Sequence, residues 1–288
     1  MNPEDCPHLA LLSDVVLHPL QPQVPVLVME YADLTLTQWP LFCAQCFKDL
    51  PGKVQRCSKC KLARYCGREC QVTHWRASHK QDCGAHTQLK QALQIGIQIL
   101  RGLKSLHRAK LVHQDLKPDN VLLFREKTQT HPLVKLTDFG LTASSVQPDD
   151  EEKSSSYGPS SSVAGGTRSW MSPEQLVRYA KKKVGQEAED LPQGCDLWAF
   201  GLVLASLLPG LSNASDEFHR QCETVRANLR QITLGNVKQV IDFASTLPQL
   251  ADTIVRGAQA QVAAAAGEAE VQSVWKGLSH VLGQCLQP

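Results

Sequence analysis

Eight sulfur and nitrogen donors crowd into residues 43 to 83: Cys43-x2-Cys46, Cys57-x2-Cys60, Cys66-x3-Cys70 and His79-x3-Cys83. Thiolates and imidazoles at these spacings suit zinc, and eight are enough for two tetrahedral ions. A Cys-x-x-Cys turn lets two thiolates grip one ion, and the second pair of each site comes from elsewhere in the chain. Closed four-coordinate sites make such zinc structural rather than catalytic. The segment is too short for a hydrophobic core of its own, so metal binding would supply much of its folding free energy. His74 competes with His79 for one ligand place, and the helical spacing from His79 to Cys83 favours His79. A disulfide-bonded or redox-active segment is the other reading of clustered cysteines. It suits small secreted chains better than this one. A second group of reactive residues lies further on, in "HQDLKPDN" at 113 to 120 and "LTDFG" at 136 to 140. There Asp115, Lys117, Asn120 and Asp138 gather carboxylates, an ammonium and an amide.

The elements around these residues are legible from apolar spacing. The chain has 288 residues, enough for one large domain or two modest ones, and its net charge of +2 argues against broad binding to nucleic acid or anionic lipid. "MNPEDCPHLALL" does not resemble a secretory signal, because acids stand where basic residues are needed. "VPVLVMEY", residues 24 to 31, reads as a buried strand, and "ADLTLTQW" could open a helix. From Leu89 to Leu106 apolar residues recur at three and four, which predicts a helix of about five turns. "NVLLF" and "LVKLTDF" read as two short strands. Residues 142 to 166 are rich in Ser, Gly and acids and read as a mobile loop. Helices are expected near Pro173 to Ala180, at Asp196 to Leu208, and through the Ala-rich "AQAQVAAAAGEAEVQ". The run from Leu197, "LWAFGLVLASLLPGL", is too short for a bilayer and reads as a buried helix. Cys6, Cys195, Cys222 and Cys285, outside the cluster, read as ordinary buried thiols.

The ligand order, with "RYCGRECQVTHWRASHKQDC", resembles a MYND-type zinc finger. Members of that family interleave their two sites. Carried over, the resemblance assigns Cys43, Cys46, Cys66 and Cys70 to one zinc, and Cys57, Cys60, His79 and Cys83 to the other. MYND fingers are peptide-docking modules, often for Pro-rich ligands. Gln71 and Trp75 match positions that line the peptide groove, or they simply pack around the zinc core.

"HQDLKPDN", "LTDFG", "GTRSWMSPE" and "DLWAFGLVL" stand in an order that resembles the large lobe of a Ser/Thr protein kinase. The resemblance implies roles. Phosphoryl transfer needs positioning and charge neutralisation more than covalent help. Asp115 would accept the substrate hydroxyl proton, and Lys117 would offset charge near the γ-phosphate. Asn120 and Asp138 would hold magnesium, a hard ion that prefers oxygen. "VLVMEYAD" resembles the strand and hinge between kinase lobes. That places Met29 at the gatekeeper position, the main chain of Glu30 and Ala32 at the adenine edge, and Leu122 at its floor. The bland alternative makes Asp115 and Asp138 ordinary loop residues.

The pattern also has departures. No Gly-rich phosphate loop and no "VAIK"-like lysine is present. Gln114 stands where many kinases have an arginine that receives a phosphorylated residue, so that charge-assisted pairing is lost. Glu174 would lack the arginine that usually pairs with it. The resemblance therefore implies a chain that begins inside the small lobe and stops before the last conserved stretch, with weak ATP binding.

The expected architecture is α+β: a small-lobe remnant and hinge over 1–41, a double-zinc MYND finger inserted over 42–84, and a mostly α-helical kinase C-lobe over 85–288. The expected function is ATP- and Mg-dependent phosphorylation of protein Ser/Thr, with the finger docking a protein substrate or Pro-rich peptide. The alternative is a non-catalytic pseudokinase adaptor. A weaker third reading is nucleic-acid binding through Lys59, Lys61, Arg64 and Arg68. The expected location is intracellular, in cytoplasm or nucleus, with no membrane partner.

Overall fold

The computed structural model describes residues 6–18, 21–41, 43–46, 48, 50, 54–59, 63–83, 85–124, 132–144, 167–208, 211, 217, 220, 237–265 and 269–287. Strands β1 (Leu12–His18), β2 (Gln21–Met29) and β3 (Leu34–Thr35) come first. The finger follows with β4 (Gln55–Arg56), β5 (Arg64–Tyr65), α1 (Arg68–His74), a π-helical turn (Trp75–His79) and α2 (Lys80–Asp82). Next come α3 (Ala85–Arg108), β6 (Leu111–Val112), β7 (Val121–Phe124), β8 (Leu133–Leu136) and β9 (Ala143–Ser144). The remainder is helical: α4 (Pro173–Lys183), α5 (Gly194–Leu207), α6 (Val237–Ala244), α7 (Leu247–Ala264) and α8 (Ala269–Cys285). This agrees with the α+β expectation. No described helix is long and apolar enough to cross a membrane.

The chain divides into two compact units. The first comprises 1–105 and 118–138. In it β1 and β2 form an antiparallel hairpin with Val15 opposite Leu27 and Val16 opposite Val26. Its side chains Leu12, Val15, Val16, Leu27, Val28 and Met29 are exposed, so the expectation of a buried strand at 24 to 31 fails on burial. β3, β7 and β8 form a three-stranded antiparallel sheet. Val121, Leu123, Val134 and Leu136 point into the core, the alternation expected of a sheet with one covered face. α3 covers it with Ile95, Ile99 and Leu103. A Cβ on Gly102 would lie 2.8 Å from the His8 carbonyl and 2.9 Å from Leu136, so a bare position lets the helix approach this closely. The buried Gln98 amide acts as a substitute strand edge. Its Oε1 accepts from the Val134 N–H at 2.9 Å, and its Nε2 donates to the Pro132 carbonyl at 3.1 Å.

The second unit comprises 106–117 and 139–288. Its centre is α5, buried nearly all round by Trp198, Phe200, Leu202, Val203, Leu204 and Ala205, as a core helix must be. α4 opens with a capping box. The Ser172 side chain accepts from the Gln175 N–H while Gln175 reaches back to the Ser172 N–H, and Pro173 takes the first turn. Leu247, Ala251, Ile254 and Ala258 form the buried stripe of α7, which packs against α8. The Ala-rich stretch is not one helix: α7 ends at Ala264 and α8 begins at Ala269. Likewise the start of the 142–166 segment is a strand, β9, paired with β6, and residues 145–166 lie outside the described residues.

Two glycines on helices of this unit have opposite surroundings. A Cβ on Gly201 would meet Cys285 at 2.9 Å and Leu286 at 3.0 Å, whereas one on Gly277 meets nothing within 4 Å. Gly201→Val is therefore expected to lower unfolding free energy by about 1–3 kcal/mol through overpacking. Gly277→Ala is expected to raise it by about 0.5–1 kcal/mol through helix propensity. Urea denaturation of the two variants measures both signs.

Candidate functional site

The finger is built around sulfur. The ligand atoms of Cys43, Cys46, Cys66 and Cys70 lie within 4.8 Å of one another, as do those of Cys57, His79 and Cys83. Cys60 lies outside the described residues. Backbone bonds fold the turns that aim these thiols: the Cys43 N–H donates to the Lys48 carbonyl at 2.9 Å, and the Cys57 N–H to the Ala63 carbonyl at 2.9 Å. The β4–β5 hairpin supplies Tyr65, which is fully buried against Cys43 and Cys57. His74 is not in either cluster. Its Nδ1 lies 3.0 Å from the Tyr65 hydroxyl, and its ring stacks on His79 with centroids 5.0 Å apart. Burial first, and then the neighbouring His79, bring the His74 pKa down to about 4. The π turn at 75–79 inserts one residue into the helical ladder, which reorients His79 relative to α1. Trp75 meets the His79 ring edge-on at 5.8 Å, and Gln71 is half-buried.

These donors fit zinc. Sulfur pairs Cys46–Cys66, Cys66–Cys70 and Cys57–Cys83 lie 3.5 to 3.6 Å apart. A disulfide needs about 2.05 Å. A tetrahedron with about 2.3 Å Zn–S bonds has edges near 3.8 Å. The charges point the same way. Burial opposes ionisation of Cys43, but the N–H groups of Cys66, Cys46 and Gln45 outweigh it and bring the thiol down to about 7. Cys66 is raised, chiefly by the Cys46 sulfur, and Cys70 is raised by burial and then by the sulfurs beside it. Four thiolates at this spacing repel one another, and a divalent cation removes that repulsion. Outside the finger, burial pushes Cys195 up to about 12 and Cys285 up to about 11, as befits inert thiols. Cys222 lies outside the described residues.

In the second unit, "HQDL" is held from below by α5. The carboxylate of Asp196, 1% exposed, accepts from the His113 N–H at 2.9 Å and the Gln114 N–H at 3.0 Å. His107 Nε2 lies 2.8 Å from the same group. Gln114 takes a positive φ of 67°, which a residue with a side chain adopts only when its surroundings enforce it. Asp115 follows, buried, with Lys117 Nζ donating to it at 2.8 Å. The ring of Phe139 packs on His113 at 5.5 Å. The sequence reading missed the anchoring role of Asp196. Its signal was there: a lone acid at the head of an otherwise apolar helix.

In the first unit, Asn120 is buried in a 3-10 turn, and its carbonyl accepts the Thr137 N–H at 3.1 Å. Asp138, the next residue, is exposed and has a φ of 63°. Met29 ends β2 with its side chain 37% exposed. The Glu30 carboxylate takes two bonds of 2.7 Å from Lys135. After Ala32, the Asp33 N–H donates to the Leu123 carbonyl, and Leu122 is half-buried on β7. Glu174 is only half-buried.

The protein kinase domain family matches residues 69–270, and the MYND finger family matches 43–83. The chain belongs to the protein kinase family and carries a MYND finger. It is 33% identical over 160 residues to the eukaryotic translation initiation factor 2-alpha kinase pek-1 of Caenorhabditis elegans, covering 53% of this chain and 13% of that protein. It is 39% identical over 113 residues to mitogen-activated protein kinase kinase 9 of Arabidopsis thaliana, covering 39% and 30%. It is 32% identical over 121 residues to the serine/threonine-protein kinase PKH1 of Saccharomyces cerevisiae, covering 39% and 13%. The chain thus spans less than a third of each relative's length. Among solved structures, a chain of the yeast RNA Pol II CTD kinase CTDK-1 complex is similar at 18% identity with a TM-score of 0.39, covering 70% of this chain and 44% of that one.

Metal analysis of the purified chain is expected to give two zinc ions per molecule, falling to one in His79→Ala. Unchanged zinc in that variant would remove His79 from the ligand set.

Proposed function

We propose that the chain is an ATP-dependent protein Ser/Thr kinase-like domain whose MYND finger docks a protein partner. The observation that carries this reading is the Asp115–Lys117 ion pair, 2.8 Å long, on a loop fastened by the buried Asp196. A carboxylate held rigidly beside an ammonium can take a hydroxyl proton while the ammonium offsets phosphate charge. Asp115 is the proposed base and Lys117 the phosphate-facing cation. Asn120 and Asp138 are the proposed magnesium ligands. The main chain at Glu30 and Ala32, with Met29 and Leu122, is the proposed adenine edge. In the finger, Cys43, Cys46, Cys66 and Cys70 are the proposed ligands of one zinc, and Cys57, Cys60, His79 and Cys83 of the other. The proposed finger spans 42–84, between the proposed hinge and α3, and would offer Gln71 and Trp75 to a Pro-rich peptide.

A second reading is a non-catalytic adaptor. In it the finger docks peptides and the kinase-like lobe serves as a scaffold. A thermal-shift titration separates the two. Under the kinase reading, Mg-ATP at about a hundred times its Kd should stabilise the fold by about 2.7 kcal/mol. Asp138→Asn should abolish the gain if magnesium carries it. No shift at millimolar Mg-ATP would favour the adaptor.

A further inference from the structure

A single buried amide joins the start of α4 to the strained residue before Asp115. Gln175 is 6% exposed. Its Oε1 accepts the Ser172 N–H at 3.0 Å, and its Nε2 donates to the Gln114 carbonyl at 2.9 Å. The two ends of the amide face partners of opposite kind, a donor and an acceptor, so only one orientation satisfies both.

The Gln114 N–H belongs to the peptide plane on one side of its Cα, and the Gln114 carbonyl to the plane on the other. Asp196 holds the first plane through a 3.0 Å bond to Oδ1, and Gln175 holds the second. Between them lies the positive φ of 67°. The second plane also carries the Asp115 N–H, so its tilt sets the direction in which the Asp115 side chain leaves the backbone. Without the Gln175 donor, that plane keeps only the longer bond on its other side, from the Asp115 N–H to His113 Nδ1 at 3.3 Å, and the strain of the positive φ then favours its rotation.

We propose that Gln175 is a positioning residue for Asp115: its side-chain amide fixes the 114–115 peptide plane, and it does so separately from its capping of α4. The functional weight of this inference rests on the kinase reading of Asp115, but the structural part does not.

Gln175→Glu separates the two jobs. A carboxylate still accepts from Ser172, as the acid of a capping box does, but it has no hydrogen to offer the Gln114 carbonyl. Gln175→Met loses both jobs. Amide hydrogen exchange read by mass spectrometry on peptides covering 111–117 and 172–178 should resolve them. In Gln175→Glu, exchange over 113–115 is expected to rise about tenfold while 172–178 stays within twofold of the parent. In Gln175→Met, both segments should rise. Exchange over 113–115 that stays within twofold in either variant would overturn the proposal. So would an equal rise of both segments in Gln175→Glu, which would mean a merely structural role. Phosphoryl transfer from Mg-ATP gives the functional arm: kcat is expected to fall about tenfold in Gln175→Glu with KM for ATP unchanged. Asp115→Asn serves as the control. If it leaves transfer unaltered, the kinase reading fails, while the exchange result still decides the role of Gln175.

Discussion

A carboxylate buried at the head of an apolar helix must find hydrogen-bond donors, because an unpaired charge there would cost several kcal/mol. Asp196 finds three. Two are consecutive backbone N–H groups, of His113 and Gln114, and the third is the His107 ring. One carboxylate thus holds both N–H groups, and immediately after them the chain turns at Gln114, whose φ is 67°. The order and position of the Asp115–Lys117 pair follow from this geometry. α5 can supply such an anchor because it is rigid: its side chains are packed on nearly every face.

The finger solves a related problem by different means. It has too few apolar residues for a core, so its centre is Tyr65 between two groups of sulfur ligands. The thiols repel one another once ionised, which makes the fold of this segment depend on a cation. Tyr65 also fixes His74, leaving His79 as the imidazole that meets Cys57 and Cys83.

Much of this was legible in the amino-acid order. The ligand spacing of the finger is a local pattern, and so is the all-round apolarity of α5, which no amphipathic surface helix would show. α3 was readable from its spacing, although it starts at Ala85 rather than Leu89. Other features depend on contacts distant in sequence and left no local trace. β9 is a strand because β6, about thirty residues earlier, offers it a partner. The π turn at Trp75–His79 is a matter of hydrogen-bond register, which residue propensity does not encode. β2 is β-rich as expected, but its apolar side chains are exposed, because sequence specifies a strand's propensity without supplying what covers it. The amide of Gln175 left no local trace of its second partner either, and only the fold brings it to Gln114.

If the buried carboxylate of Asp196 fastens the 113–115 loop, then the His113 and Gln114 amides belong to the most stable part of their unit. Native-state hydrogen exchange on the parent chain measures this directly. The expected result is that both amides exchange only through the same global opening that releases the Leu202–Ala205 amides of α5. Exchange of His113 and Gln114 at the rate of a surface turn, with α5 still protected, would contradict it.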